Sequence, residues 1–208
     1  MKRAAILTVL GLTLTACAGG SAGSPTSNRP PLPTGVEVRY PAAPSGASVY
    51  LNLLTDGGES VYQKAVTAGS VKTEVDPVTW KAKSALAAPI EGLIPAGAIN
   101  AAVSKLGVPV LLLHWVMWQD RDGNGQRGEG ETLDLMSHDR VAYASEAVSA
   151  DFTTASPKMV QHWQFAQGWG RAEHNVYLPL GDVTYRRTLE SSVLQRYELH
   201  VATPVTSQ

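Results

Sequence analysis

Val108-Pro109-Val110-Leu111-Leu112-Leu113-His114-Trp115-Val116-Met117-Trp118 is an apolar run with aromatic and β-branched residues and no helical period. Such a run reads as a strand. Apolar residues at successive positions predict a central strand covered on both faces, and Pro109 falls near its start, where a strand tolerates proline. The run ends in Gln119-Asp120, so the segment beyond Asp120 is held at the end of a core strand.

That segment, counted from Asp120, reads Asp120-Arg121-Asp122-Gly123-Asn124-Gly125-Gln126-Arg127-Gly128-Glu129-Gly130-Glu131. With Asp120 as position 1, Asp122 is 3, Asn124 is 5, Gly125 is 6, Gln126 is 7 and Glu131 is 12, the oxygen-donor spacing of an EF-hand loop. The carboxylates of Asp120, Asp122 and Glu131 would offset the charge of one hard dication, Ca2+. The Asn124 amide oxygen and the Gln126 backbone carbonyl would add neutral ligands, and Glu131 would close the shell in bidentate fashion. Gly125 permits the sharp turn around the ion. The alternative is an acidic, glycine-rich turn without an ion.

The flanks are not those of an EF-hand: a strand enters, Arg127 stands at position 8, and no second loop of this pattern occurs. A lone loop after a Trp-containing strand resembles the calcium loops of B-type repeats in bacterial surface adhesins. Trp118, Asp120, Asp122, Asn124, Gly125, Gly130 and Glu131 carry that resemblance, which covers about fifteen residues. Gly128 at position 9, often acidic in those repeats, departs from it. The resemblance implies metal binding and says little about the rest of the chain.

The chain opens Met1-Lys2-Arg3, continues as an apolar run from Ala4 to Leu14 and reaches Leu14-Thr15-Ala16-Cys17. This reads as a secretory signal peptide over residues 1–16, too short for the roughly 20 residues of a bilayer span. The small residues before Cys17 resemble the lipobox of bacterial lipoproteins. That resemblance implies cleavage before Cys17 and lipidation of its sulfur, usually with a further acyl (palmitate-type) chain on its amino group. With Ala18 next, it also implies sorting to the outer membrane in a two-membrane host. Cys17 is the only cysteine, so no disulfide is expected. Residues 17–34 form a Gly-, Ser- and Pro-rich tether.

Without residues 1–16 the chain keeps fifteen basic and eighteen acidic residues, a balance that makes nucleic acid an unsuitable partner. Residues 35–208 suffice for one domain with its own core. Short alternating strands are predicted over Val36–Tyr40, Ser48–Leu54, Ser60–Val66, Ser70–Val75, Arg140–Ala144, Asp151–Thr154, Val160–Gln167, Asn175–Leu178, Val183–Leu189 and Leu194–Val201. Turns fall at Asp56-Gly57-Gly58 and Leu180-Gly181-Asp182. Between Pro95 and Gly107 one short helix is expected, with Ile99, Ala102, Val103 and Leu106 on one face. The fold class is thus mainly β, a single antiparallel sandwich of the immunoglobulin or transthyretin kind.

No Ser-x-x-Lys set, catalytic cysteine or His-Glu-x-x-His occurs, and the five histidines are scattered. His138-Asp139 is the one candidate acid/base pair. Trp163-Gln164-Phe165-Ala166-Gln167-Gly168-Trp169-Gly170 holds residue types that stack on sugars. Trp163 and Trp169 are therefore the candidate ligand surface, with Trp169 expected to be exposed and core packing the competing account of Trp163. Arg186, Arg187 and Arg196 are of the type that recognises an anionic group, but on alternating strands they are expected more simply to face solvent. These readings together describe a lipid-anchored, extracytoplasmic calcium-binding module that is not an enzyme and whose partner is an envelope protein or glycan. The alternative is an envelope hydrolase acting on polysaccharide or peptidoglycan.

Overall fold

The computed structural model describes residues 35–192 and 195–201. The signal peptide, Cys17, the tether and Leu194 lie outside the described residues. In chain order the strands are β1 (Val36–Arg39), β2 (Ser48–Thr55), β3 (Ser60–Val66), β4 (Lys72–Val75), β5 (Ala88–Pro89), β6 (Ile99–Val103), β7 (Pro109–Asp120) and β8 (Leu135–Met136). They continue as β9 (Arg140–Ala144), β10 (Val148–Ala155), β11 (Lys158–Phe165), β12 (Gly168–Tyr177), β13 (Arg186–Ser192), β14 (Arg196–Glu198) and β15 (His200–Val201). One helical turn, α1 (Val78–Lys81), follows β4.

The long apolar run is β7, and it is central as expected. It pairs with β2 from Ser48↔Asp120 to Thr55↔Leu113, and with β9 from Val110↔Ala144 to Leu113↔Val141. Side chains alternate across a strand, so its odd and even residues supply two different cores. Leu111, Leu113, Trp115 and Met117 join Val36, Val38, Val75 and Tyr197 of a three-stranded sheet in the order β14-β1-β4. Val110 and Leu112 join Ile90, Val148, Phe165, Ala172 and Leu189 on the opposite face. Each fully buried aliphatic side chain of this kind contributes about 1.5–3 kcal/mol, which is why both faces of β7 are covered.

The large sheet runs β3-β2-β7-β9-β12-β13-β11-β10-β6, with β5 beside β7. The small sheet packs on one face of it, so the domain is mainly β and sandwich-like. Most pairings are antiparallel, but two are parallel: β1 with β14, and β11 with β13. The second arises because β13 inserts between β12 and β11 instead of extending the edge. The Asp56-Gly57-Gly58 turn is as predicted, with Gly58 at φ +83° and Gly58 N donating to Thr55 O.

Residues 95–107 do not form the expected helix. Ile99–Val103 is instead the edge strand β6, paired to β10. Its apolar stripe buries little, Ile99 and Leu106 being 52% and 74% exposed. Helix propensity alone holds so short a segment weakly, and the open edge of β10 supplies backbone partners that a solvent-exposed helix lacks. The helical turn forms earlier, where Asp76 Oδ1 accepts from Val78 N at 2.9 Å and Trp80 is buried.

Candidate metal centre

The Asp120–Glu131 loop is the connection of a hairpin. After β7 the chain returns beside it, with Gln119 N donating to Glu131 O at 2.9 Å and Leu133 N to Met117 O at 2.9 Å. Trp118 and Thr132 form a bridge between them. This register sets the first and last loop residues side by side at the end of a buried strand. Asp120 is only 7% exposed and Glu131 only 5%. Gly123, Gly125 and Gly130 hold φ of +73°, +70° and +75°, a backbone that L side chains adopt rarely, and the loop closes on itself through them.

Carboxylate oxygens of Asp120, Asp122 and Glu131 all lie within 4.8 Å of one another. Backbone amides reach all three carboxylates. Glu131 Oε1 accepts from Arg121 N at 2.8 Å and Oε2 from Gly128 N at 2.7 Å, while Asp120 Oδ2 accepts from Gly125 N at 3.0 Å. The Gly128 amide first, and then the Arg121 amide, pull the Glu131 carboxyl below its usual pKa range by hydrogen-bonding to its charged form. Asp122 accepts from Asn124 N and Nδ2, and Asn124 Oδ1 accepts from Gln126 N at 2.6 Å, so all five predicted ligand residues share one nest of turns.

Two features fit a cation. Asp120 Oδ1 is buried with no hydrogen-bond partner, a costly state for a carboxylate oxygen unless something positive meets it. Moreover, among the described residues no ion pair reaches any of the three carboxylates: Arg121 turns to Gly130 O at 3.1 Å and Arg127 to Thr132 Oγ1 at 3.4 Å. The glycine at position 9 also has a geometric reason. A Cβ on Gly128 would stand 3.1 Å from Glu131 Oε2, crowding the carboxylate that an acidic residue there would be meant to assist.

Beneath the loop lies a polar relay. Trp118 Nε1 donates to Asn52 Oδ1, Asn52 Nδ2 donates to Gln63 Oε1 at 3.3 Å, and Gln63 Nε2 donates to Gly125 O at 3.4 Å. Tyr50 stacks on Trp118 with centroids 4.8 Å apart. The Trp118 of the strand therefore anchors the loop through its indole N–H as well as through packing.

The other predicted residues separate. Trp163 stands edge-on to Phe152, centroids 5.0 Å apart, whereas Trp169 lies against Tyr143 at 5.1 Å. They border different cavities, one with Arg187 and Gln161, the other with Trp80 and Tyr197. Trp169 is half-buried, since its strand continues through both neighbouring glycines. Of the arginines, Arg186 is exposed and Arg196 pairs with Glu37 at 2.9 Å. Arg187, expected at the surface, instead lines the cavity.

Asp139 is committed elsewhere, accepting from Arg171 Nη2 at 2.8 Å and His174 N at 2.9 Å, so it is not free to serve His138. Three histidines that are scattered in the sequence come together, His138 stacking on His174 at 5.0 Å and lying 5.9 Å from His200. No spacing in the sequence signals this; the pairing of β8 with β15 brings His200 across to the segment before β9. Burial, then Arg187, hold His174 well down at a pKa of about 4, and burial, then His200, hold His138 below its ordinary value. No protein-family model matches this chain, and no curated protein or solved structure matches it.

Proposed function

We propose that the protein is a lipid-anchored, extracytoplasmic β domain that binds one calcium ion and acts as a binding or envelope-interaction module. The observation that carries the calcium reading is the carboxylate trio with a buried, unpartnered Asp120 oxygen and, among the described residues, no paired cation. Calcium suits the donors because it takes six to eight hard oxygens in flexible geometry, whereas magnesium demands a near-ideal octahedron.

Asp120, Asp122, Asn124, Glu131 and the Gln126 carbonyl would hold the ion, which would supply positive charge and rigidity at the hairpin mouth. The chain's own part is to keep three negative charges close at the end of β7, so that the loop is poised but self-repelling without a cation. An affinity on the order of 10⁻⁴ to 10⁻³ M, as in extracellular modules, would suffice outside the cell. The lipobox reading of Cys17 places the domain on a membrane, the outer one in a two-membrane host, with an envelope protein or glycan as its partner.

The test is calorimetric titration of calcium into the chelator-treated protein, with a thermal melt at each end point. One ion per chain and a raised melting temperature are expected. Heat-silent titration with coincident melts would reduce the loop to a turn.

A further inference from the structure

The cavity bordered by Trp163 has a volume of about 250 Å³ on the face of the large sheet opposite the small one, and it shares no residue with the metal loop. Register explains its lining. Gln161 pairs with Arg187 across β11 and β13, and one rung further Trp163, Leu189 and His174 stand in line across β11, β13 and β12. Two rungs on one face thus set a guanidinium and an amide beside an indole. Phe152, opposite Gln161 on β10, and Leu93 add apolar wall.

Arg187 Nε is buried there with no hydrogen-bond partner, and among the described residues Arg187 has no ion-pair partner. The cavity's other cation differs: Arg140 lies 3.9 Å from Asp56, which also faces His114 at 3.5 Å. One guanidinium therefore remains without a counter-ion in a partly apolar cavity, a costly arrangement until an anion arrives. His174 adds its imidazole ring to the lining.

We propose that this cavity is a binding site for a small monocarboxylate with a single ring, its carboxylate on Arg187 and Gln161 and its ring against the apolar wall of Trp163, Phe152 and Leu93. Guanidinium matches carboxylate bidentately. The Asp56 carboxylate on the cavity wall repels a second negative charge, which disfavours phosphate dianions. The volume is below the roughly 300–1,000 Å³ of drug-sized pockets, which limits the body to about one ring. The neighbouring Arg187 and Arg140 disfavour a metal cation there.

Benzoate is the probe, titrated into the full chain by calorimetry and by ligand-observed NMR, beside benzyl alcohol and inorganic phosphate. Saturable binding of one benzoate is expected, at least tenfold tighter than benzyl alcohol and tighter than phosphate. Arg187→Met should weaken benzoate at least tenfold, while Arg186→Met at the exposed neighbour leaves it unchanged. Near-UV circular dichroism checks that both variants are folded. If Arg187→Met does not fold, Leu93→Trp, which fills the cavity from its rim, should abolish binding instead. Equal binding of benzoate and benzyl alcohol, preferred binding of phosphate, or benzoate affinity unchanged by both Arg187→Met and Leu93→Trp would overturn the assignment.

Discussion

Trp118 Nε1 donates to Asn52 Oδ1 at 2.9 Å, both residues buried and 66 positions apart in the chain. This bond ties the strand that ends in Asp120 to the strand beside it, and through Gln63 it continues to the Gly125 carbonyl of the loop. Asn52→Leu leaves the indole N–H unsatisfied in the core, a change worth about 1–3 kcal/mol. Urea denaturation of the variant should show a loss of that size, and calcium titration a weaker affinity. Unaltered calcium affinity would disconnect the relay from the loop.

Asp120→Asn keeps an oxygen for the Gly125 amide but removes one of three mutually repelling charges. In chelator its melting temperature should equal or exceed that of the wild type; in calcium the wild type should be the more stable. At a hundredfold excess of calcium over Kd the wild type gains about 2.7 kcal/mol, and the variant should lose most of that gain. Melts of both proteins with and without calcium check the crossing.

Gly128→Asp supplies the acidic residue that adhesin-type repeats often carry at this place. Because a Cβ there meets Glu131 Oε2 at 3.1 Å, and two backbone amides restrain that carboxylate, the variant should bind calcium more weakly. An increase in affinity on calorimetric titration would show that the Glu131 carboxylate moves freely.

Trp115 is 2% exposed and meets Trp80, Tyr62 and Tyr197 edge-on at 5.6, 6.2 and 6.1 Å. With Leu111, Leu113 and Met117 it carries the packing of β7 on the small sheet, so truncation leaves a large cavity in that core. Trp115→Ala should cost about 3–5 kcal/mol, measured by chemical denaturation.

His174 stays neutral in the folded chain down to a pKa of about 4, while the unfolded chain takes its proton near 6.5. Protons therefore favour unfolding between those values: stability should fall as pH drops from about 6.5 towards 4, and the loss should be complete below 4. His138, also lowered by burial and by its cationic neighbours, adds to the same slope. The groups facing the pair are Arg187, Arg140, His200 and Asp139. In His174→Gln the stability profile across this window should be flatter.

The β7 run, the loop and the hairpin turn at Asp56 to Gly58 could be read directly from the sequence because each is a local pattern. A strand apolar on both faces, carboxylates at fixed spacing and glycines at left-handed φ need no distant partner to be recognised. The segment 95–107 shows where local pattern misleads: its helical spacing is genuine, but the free edge of β10 decided its state. The same holds for Arg187. Alternation alone gives it a face but not which face is inward, and only the packing of β10, β11 and β12 around β13 turns it to the cavity. The histidine cluster and the Trp118–Asn52 bond join residues far apart in sequence, and such contacts follow from sheet order. The sequence by itself therefore determined most of the strands and the carboxylate spacing of the loop. Tertiary structure alone decided sheet order, the parallel β11–β13 pairing and the second cavity, because strand pairing is set by long-range burial that no local window contains.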